Sequence, residues 1–221
     1  MAKPSEIGTT SGKRIGVPGT VPGMAAAAAR FGSRDWSDYF GPAIRRAEEG
    51  FPMYSFLYGE MSAAYERIGV HPASREKWMP EGFVPPVGDR LRQPVLAQTL
   101  QKLASEGPGY FTEGAWAKRF VDEVNRTGGS ITLDELSDYE PRWVEPLRFE
   151  FRGYQLRGAP PASTAGILNG MIFNILENFD LAATGHYTES ADSLYLIRRA
   201  YEQAQNFAAA FTADPMGTQV P

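Results

Sequence analysis

The sequence predicts an α+β fold, mostly helical with a few strands. Three observations carry this. Apolar residues recur at three- and four-residue spacing along most of the 221 residues. One stretch, residues 147–156, alternates apolar and polar side chains instead. Gly (23) and Pro (17) are frequent enough to cut the chain into many short elements.

Taken in order, residues 1–12 read as a loose polar segment, and Lys13 to Val17 as a short strand ended by Pro18-Gly19. Pro22 suits the first turn of a helix running through Ala25–Ala29 and stopping near Gly32. Asp35 to Phe40 is about one helical turn. Pro42 sits at an N1-like position of the next helix, whose apolar stripe is Ala43, Ile44 and Ala47 and whose end is Gly50. Met53 to Ile68 is expected to be helical and aromatic-rich. His71 to Gly88 holds four prolines and reads as a connecting loop. Gln93-Pro94 opens a helix with Leu96, Leu100 and Leu103 inward. Glu113 to Thr127 forms another, with Ala117, Phe120, Val121 and Val124 inward, stopped by Gly128-Gly129. Thr132-Leu133-Asp134-Glu135 is a capping box, so a short helix begins there.

The period then changes. Leu147, Phe149 and Phe151 alternate with Arg148, Glu150 and Arg152, giving a half-buried strand. Gly153 turns the chain, and Tyr154 to Leu156 returns. Pro160-Pro161 breaks the sheet. Leu168, Met171, Ile172, Ile175 and Leu176 mark an amphipathic helix. Leu194, Ile197, Tyr201, Ala204, Ala208 and Phe211 mark a longer one, ended by Asp214-Pro215. A two-stranded hairpin is marginal alone, and an unpaired edge invites pairing.

Composition narrows the function classes. Net charge is −4 and no Lys/Arg-rich run exists, which argues against nucleic acid as a partner. Cysteine is absent, so disulfides, thiolate metal sites and cysteine nucleophiles are excluded for this chain. No stretch approaches the ~18 consecutive apolar residues of a membrane span. The N-terminus shows no signal-peptide core, and the alanine run is too short for one.

Candidate chemistry is sparse. His71 and His186 fall in expected loops without metal-ligand spacing. Asp134, Glu135 and Asp138 cluster, but the capping box already accounts for Glu135. The Gly16–Gly23 segment could cradle an anion at a helix N-terminus, yet it lacks the nucleotide-binding spacing, and its prolines suit a rigid turn. Ser163 and Thr164 precede a helix and read as its N-cap rather than as a nucleophile, for which no base is in evidence. Arg198, Arg199 and Glu202 read as a solvated helix face. No catalytic, cofactor-binding or metal-binding residue is assigned, and substrate-binding residues are unassigned.

Several segments, in order, resemble the γ-glutamyltranspeptidase family. Gly16-Val-Pro-Gly-Thr-Val-Pro-Gly23 is similar to its G-V-P-G-T-V-x-G stretch. Trp36, Gly41-Pro-Ala-Ile44, Ala47-Glu48 and Gly50-Phe51-Pro52 resemble its W…P-A-I…A-x-x-G-F motif. Gly88-Asp89, Gln93-Pro94-Val-Leu-Ala97 and Thr99-Leu100 follow, then Glu106-Gly107-Pro108 and Phe111. Gly128-Gly129-Ser-Ile-Thr132, Leu136, Asp138-Tyr139, Gly153-Tyr154 and Pro160-Pro161-Ala162-Ser163 with Gly166 complete the series. Two departures stand out. Asn206-Phe207-Ala208 replaces the usual A-D-R, and the P-P-S-S-G-G motif becomes Pro160-Pro-Ala-Ser-Thr-Ala-Gly166.

The resemblance implies part of an N-terminal-nucleophile hydrolase, an αββα sandwich, with residues 13–221 an incomplete large-subunit-like region. It implies a γ-glutamyltransferase or glutathione hydrolase that uses no cofactor and acts on γ-glutamyl compounds such as glutathione. Its nucleophile would be the N-terminal threonine of a small-subunit partner, absent from these residues, as are the substrate-gripping arginine and the oxyanion-hole glycines. By itself, then, the chain is expected to be inactive. A non-catalytic scaffold and a related amide acylase subunit are the alternatives. The resemblance also suggests a periplasmic or secreted setting.

Overall fold

The computed structural model describes residues 11–160 and 163–211. The chain divides after Pro141 into two compact units.

Unit 1 is helical. A 3₁₀ turn at Gly12–Arg14 replaces the expected Lys13–Val17 strand. Ser11 Oγ accepts the Lys13 N–H, and the Gly12 N–H donates to the Thr127 carbonyl at 3.0 Å, so the segment docks on a helix end and pairs with no strand. Helix α1 (Thr20–Phe31) runs through the alanines and ends at Gly32, and a second 3₁₀ turn covers Trp36–Tyr39. Helix α2 (Gly41–Glu49) has Pro42 in its first turn and Gly50 as its C-cap, with φ +76°. Met53–Ile68 is shorter and broken: α3 (Ser55–Ala63) and α4 (Tyr65–Gly69) meet at Ala64, where φ −97° and ψ 11° leave the helical region. The expected loop after His71 contains α5 (Pro72–Trp78). Pro72 in its first turn nucleates this helix rather than breaking it, because the first turn needs no proline N–H.

Helices α6 (Pro94–Glu106), α7 (Gly109–Thr112), α8 (Ala115–Arg126) and α9 (Leu133–Ser137) complete the unit. Two short strands missing from the sequence pattern, β1 (Phe51–Pro52) and β2 (Arg90–Leu91), pair antiparallel. Two-residue strands are too short to show a period. On α6 the buried residues are Ala97 and Leu103, and Leu96 falls outside that face.

Three apolar clusters hold unit 1. Ala117, Val124, Ile131 and Leu136 join α8 to α9. Phe40, Leu103 and Tyr110 join the Trp36 turn to α6 and α7, and Trp36 Nε1 donates to the Leu103 carbonyl at 2.9 Å. Met53, Met61 and Leu91 join α3 to the small sheet. Trp116 stacks between Phe111 (4.0 Å) and Phe120 (4.9 Å).

Unit 2 is a hairpin covered by helices. Strands β3 (Leu147–Phe151) and β4 (Tyr154–Gly158) pair antiparallel in the register Leu147↔Gly158, Phe149↔Leu156 and Phe151↔Tyr154. Arg152 (φ 49°) and Gly153 (φ 80°) are the two central residues of the turn. Positive φ at both is the type I′ geometry whose twist matches the strands. Arg152 is not a residue that favours this conformation, and it is held by contacts: its N–H donates to the Glu177 carboxylate (3.1 Å) and its guanidinium to the Phe179 carbonyl (3.0 Å).

Helix α10 (Thr164–Leu176) lies on the hairpin, with Phe173 against Phe151 (4.8 Å) and Phe149 (6.1 Å). Gly166 allows that approach, because a Cβ there would collide with the Ala159 backbone. Short α11 (Leu181–Thr184) precedes α12 (Ala191–Phe211), which packs on α10 and α11. Among the described side chains of α12 the buried ones are Ser193, Ala200 and Ala204, while Leu194 and Tyr201, expected inward, are 52% and 48% exposed. Hydrophobicity misassigned these two because the positions of α12 that are buried among the described side chains carry small residues. The side chains of Ala208 and Phe211, and the Asp214-Pro215 stop, lie outside what is described.

Candidate functional site

The glycine-rich segment and the Gly128–Thr132 segment meet. Gly19 opens α1, and Tyr139 packs where its Cβ would be, so two separate motif residues form one contact. Gly129 donates to the Val124 carbonyl at 2.9 Å and turns the chain beside Gly12. Between these segments lies a cleft of about 330 Å³, with Lys13, Gly16, Ser130 and Glu135 among its walls. Its walls hold one ammonium, Lys13, and one carboxylate, Glu135, and that carboxylate is already committed. Glu135 accepts the Thr132 N–H (2.8 Å) and hydroxyl (3.1 Å), while the Glu135 N–H donates to Thr132 Oγ1 (3.2 Å). The capping box thus forms as the sequence implies, and Asp134 and Asp138 flank it on an exposed surface. Nothing in this cleft is poised to transfer a proton or an acyl group.

His71 is the extended N-cap residue of α5 and lines a cleft of about 610 Å³ with Ser74, Glu123, Arg126 and Thr127. Glu123 and Arg126 pair at 2.6 Å on the exposed side of α8. The hydrogen bond from Arg126 holds the Glu123 carboxyl below its ordinary value, with a smaller contribution from His71, and Glu123 raises Arg126 in return. This is a surface ion pair beside a histidine.

His186 makes the contact that the sequence reading missed. Its Nδ1 lies 2.7 Å from Thr188 Oγ1, and the Thr188 N–H points at the same nitrogen (3.4 Å). A hydroxyl beside an imidazole is the first requirement of an activated nucleophile. Here both side chains are exposed, the partners are two residues apart, and the ring lies tilted against Tyr187 at 4.4 Å. The geometry is that of a local turn before α12. The H-x-T spacing was the available signal.

Ser163 occupies the N-cap position of α10, but its side chain makes no capping bond; its backbone N–H donates to Pro160. The expected cap is therefore right in place and wrong in chemistry. Arg198 and Arg199 both bond Glu202, each at 2.9 Å, on the exposed side of α12, as read. Arg198 first and Arg199 second hold the Glu202 carboxyl below its ordinary value. Among the described residues no three His, Asp or Glu side chains converge as metal ligands, and no helix is long and apolar enough to cross a membrane.

The γ-glutamyltranspeptidase family model matches residues 1–221. The chain belongs to the γ-glutamyltranspeptidase family. The glutathione hydrolase proenzyme of Bacillus subtilis (strain 168) is 32% identical over 212 residues, covering 96% of this chain and 36% of that protein. Acylase ACY 1 proenzyme of Pseudomonas sp. (strain V22) is 33% identical over 209 residues, covering 95% and 37%. In structure, the chain is similar to Helicobacter pylori γ-glutamyltranspeptidase, with TM-score 0.85 and 29% identity over 100% of this chain and 62% of that one. The fold is accordingly α+β and of the N-terminal-nucleophile hydrolase type. This family member spans little more than a third of the length of those two curated relatives. Its glycines at 19, 129 and 166 gain a physical reason: each sits where another segment leaves no room for a side chain.

Proposed function

We propose that this chain is the large-subunit portion of a γ-glutamyl transferase and hydrolase whose nucleophile, an N-terminal threonine, is carried by a separate small subunit. The observation that carries the reading is a family match along all 221 residues. Both curated relatives are named proenzymes, which fits a precursor cut into two subunits. In this reading the threonine hydroxyl attacks the γ-glutamyl amide carbon while its own α-amino group takes the proton. The amine leaves with a proton, and water or an acceptor amine then takes the γ-glutamyl group from the threonine oxygen. Glutathione and similar γ-glutamyl compounds are the substrates.

A second reading, an amide acylase subunit, is favoured by the acylase relative, whose identity equals that of the glutathione hydrolase within one per cent. One assay separates the two. The purified chain, alone and mixed with the small subunit of a family relative, is given a γ-glutamyl anilide and, separately, an aliphatic acyl amide. The chain alone is expected to release nothing, and the mixture to release the anilide. Release by the chain alone, with contaminating enzyme excluded, overturns the two-subunit reading. Preference for the aliphatic amide supports the acylase. Silence in the mixture points to a non-catalytic relative.

A further inference from the structure

Within unit 1, one segment closes a core of its own. Residues 51–91 leave the helical body after α2 and rejoin it before α6. The third apolar cluster lies wholly inside this segment, with Met53, Met61 and Leu91 at its buried centre and Leu57, Ile68 and Trp78 against them. Neither of the other two clusters of unit 1 takes a residue from it. Met79, 1% exposed, is also packed from within, its terminal methyl 3.2 Å from where a Cβ on Gly69 would sit.

Hydrogen bonding follows the same boundary. Among the described residues, the hydrogen bonds of residues 54–87 end within the segment. The Tyr65 hydroxyl, for example, donates to the Gly82 carbonyl at 2.7 Å and ties α4 to the loop after α5. At the base the two ends are joined to each other. Phe51 pairs with Leu91 and Pro52 with Arg90, the Met53 N–H donates to the Asp89 carbonyl (2.7 Å), and the Gly88 N–H donates to the Met53 carbonyl (2.8 Å). Arg90, at that base, bonds the body, its guanidinium donating to the Glu49 (3.3 Å) and Gly50 (3.2 Å) carbonyls. Farther out, the segment and α8 border the 610 Å³ cleft, His71 and Ser74 coming from the segment and Glu123 and Arg126 from α8.

A region whose apolar contacts and hydrogen bonds are satisfied internally can open without breaking many contacts elsewhere. Here the opening involves all three helices together. Leu57 and Met61 come from α3, Ile68 from α4 and Trp78 from α5, so one cluster holds them and none leaves alone. We propose that residues 53–89 open and close as one cooperative lobe, independently of α6 and α8, and that opening removes the His71 wall of the cleft while leaving the α8 wall in place.

Native-state hydrogen exchange of the full 221-residue chain, followed at rising denaturant below its unfolding midpoint, tests the lobe. Amides of α3, α4 and α5 are expected to merge onto one opening with one denaturant dependence, and those of α6 and α8 onto a rarer one. Met61→Ala empties the shared cluster and should speed exchange at least about tenfold, by the same factor in all three helices, with α6 and α8 protected as before. A lobe wholly unprotected in Met61→Ala, beside a protected α6 and α8, is the same result at its limit. Limited proteolysis gives a second readout, with first cuts inside 53–89 that quicken by that same factor in Met61→Ala. Lobe amides that merge only with those of α8 overturn the proposal, because the lobe then opens only when unit 1 does. So do separate openings for α3, α4 and α5, a Met61→Ala effect confined to α3, or one spread equally over α6 and α8.

Discussion

The two units of this chain bury their apolar residues in different ways. Unit 1 closes three clusters within its own helices, with Leu103, Tyr110, Val124, Leu136, Met53 and Met61 all buried. Unit 2 has Leu176 as its one buried large apolar residue among those described; Ala200 and Ala204 are the others. Phe149, Phe151 and the apolar residues of α10 from Ile167 to Ile175 are only half-buried, and Tyr154, Tyr195 and Tyr201 are exposed. The same chain therefore holds a region that completes its own core and a region built on close backbone approach. The second kind gives each side chain fewer neighbours, so more of its order depends on geometry at glycine and at the turn.

The comparison is broken most strongly by a cavity in unit 1. Leu136 is 1% exposed and packs with Ala117, Val124 and Ile131. Leu136→Ala should cost about 2–5 kcal/mol, read as a fall in the denaturation midpoint, with loss of amide protection centred on α8 and α9. A change below about 1 kcal/mol would mean that unit 1 is no better closed than unit 2. In unit 2 the matching experiment adds an atom. A Cβ at Gly166 meets the Ala159 carbonyl group, its carbon at 2.9 Å, and a backbone cannot rotate away as a side chain can. Gly166→Ala should cost about 1–3 kcal/mol despite the better helix propensity of alanine. Hydrogen exchange should locate the damage in β3, β4 and α10. Unchanged or increased stability would show that α10 and the hairpin are not held at this distance.

Much of the fold was legible in the sequence because several elements follow local rules. The Thr132 capping box, the Pro42 helix start and the 147–151 alternation each depend on residues within a few positions, and each forms as read. The misses depend on partners far away in sequence. Lys13–Val17 has the composition of a strand, yet its first two residues belong to a 3₁₀ turn whose Gly12 N–H is taken by Thr127. Leu194 and Tyr201 have the hydrophobicity of a core stripe, yet the buried residues among the described side chains of α12 are Ser193, Ala200 and Ala204. Pro72 has the look of a breaker, yet helix starts accept proline. The candidate site was less legible for a related reason. The family motifs were visible, but the role of Gly19 appears only when Tyr139 is seen against it, more than a hundred residues on. The His186–Thr188 contact had only a spacing of two to announce it.

The smallest expected effect sharpens the comparison from the outside of α12. With little buried on its inner face, this helix also carries an exposed triad, Glu202 bonded by Arg198 and Arg199. The arginines hold the Glu202 carboxyl below its ordinary value, Arg198 contributing first. A depressed carboxyl contributes stability that is complete above its unfolded value, about 4.3. That contribution is lost as pH falls through the lower folded value. Unit 2 should therefore lose a small increment of stability on acidification below the ordinary carboxylate range, and salt should shrink the increment because the pairs are exposed. An NMR titration of the Glu202 side chain reads this directly. Its midpoint should lie below that of an isolated glutamate, rise more in Arg198→Ala than in Arg199→Ala, and approach the ordinary value when both are removed. A midpoint at the ordinary value in the unmodified chain would mean the triad forms without stabilising charge, leaving α12 dependent on its alanine contacts alone.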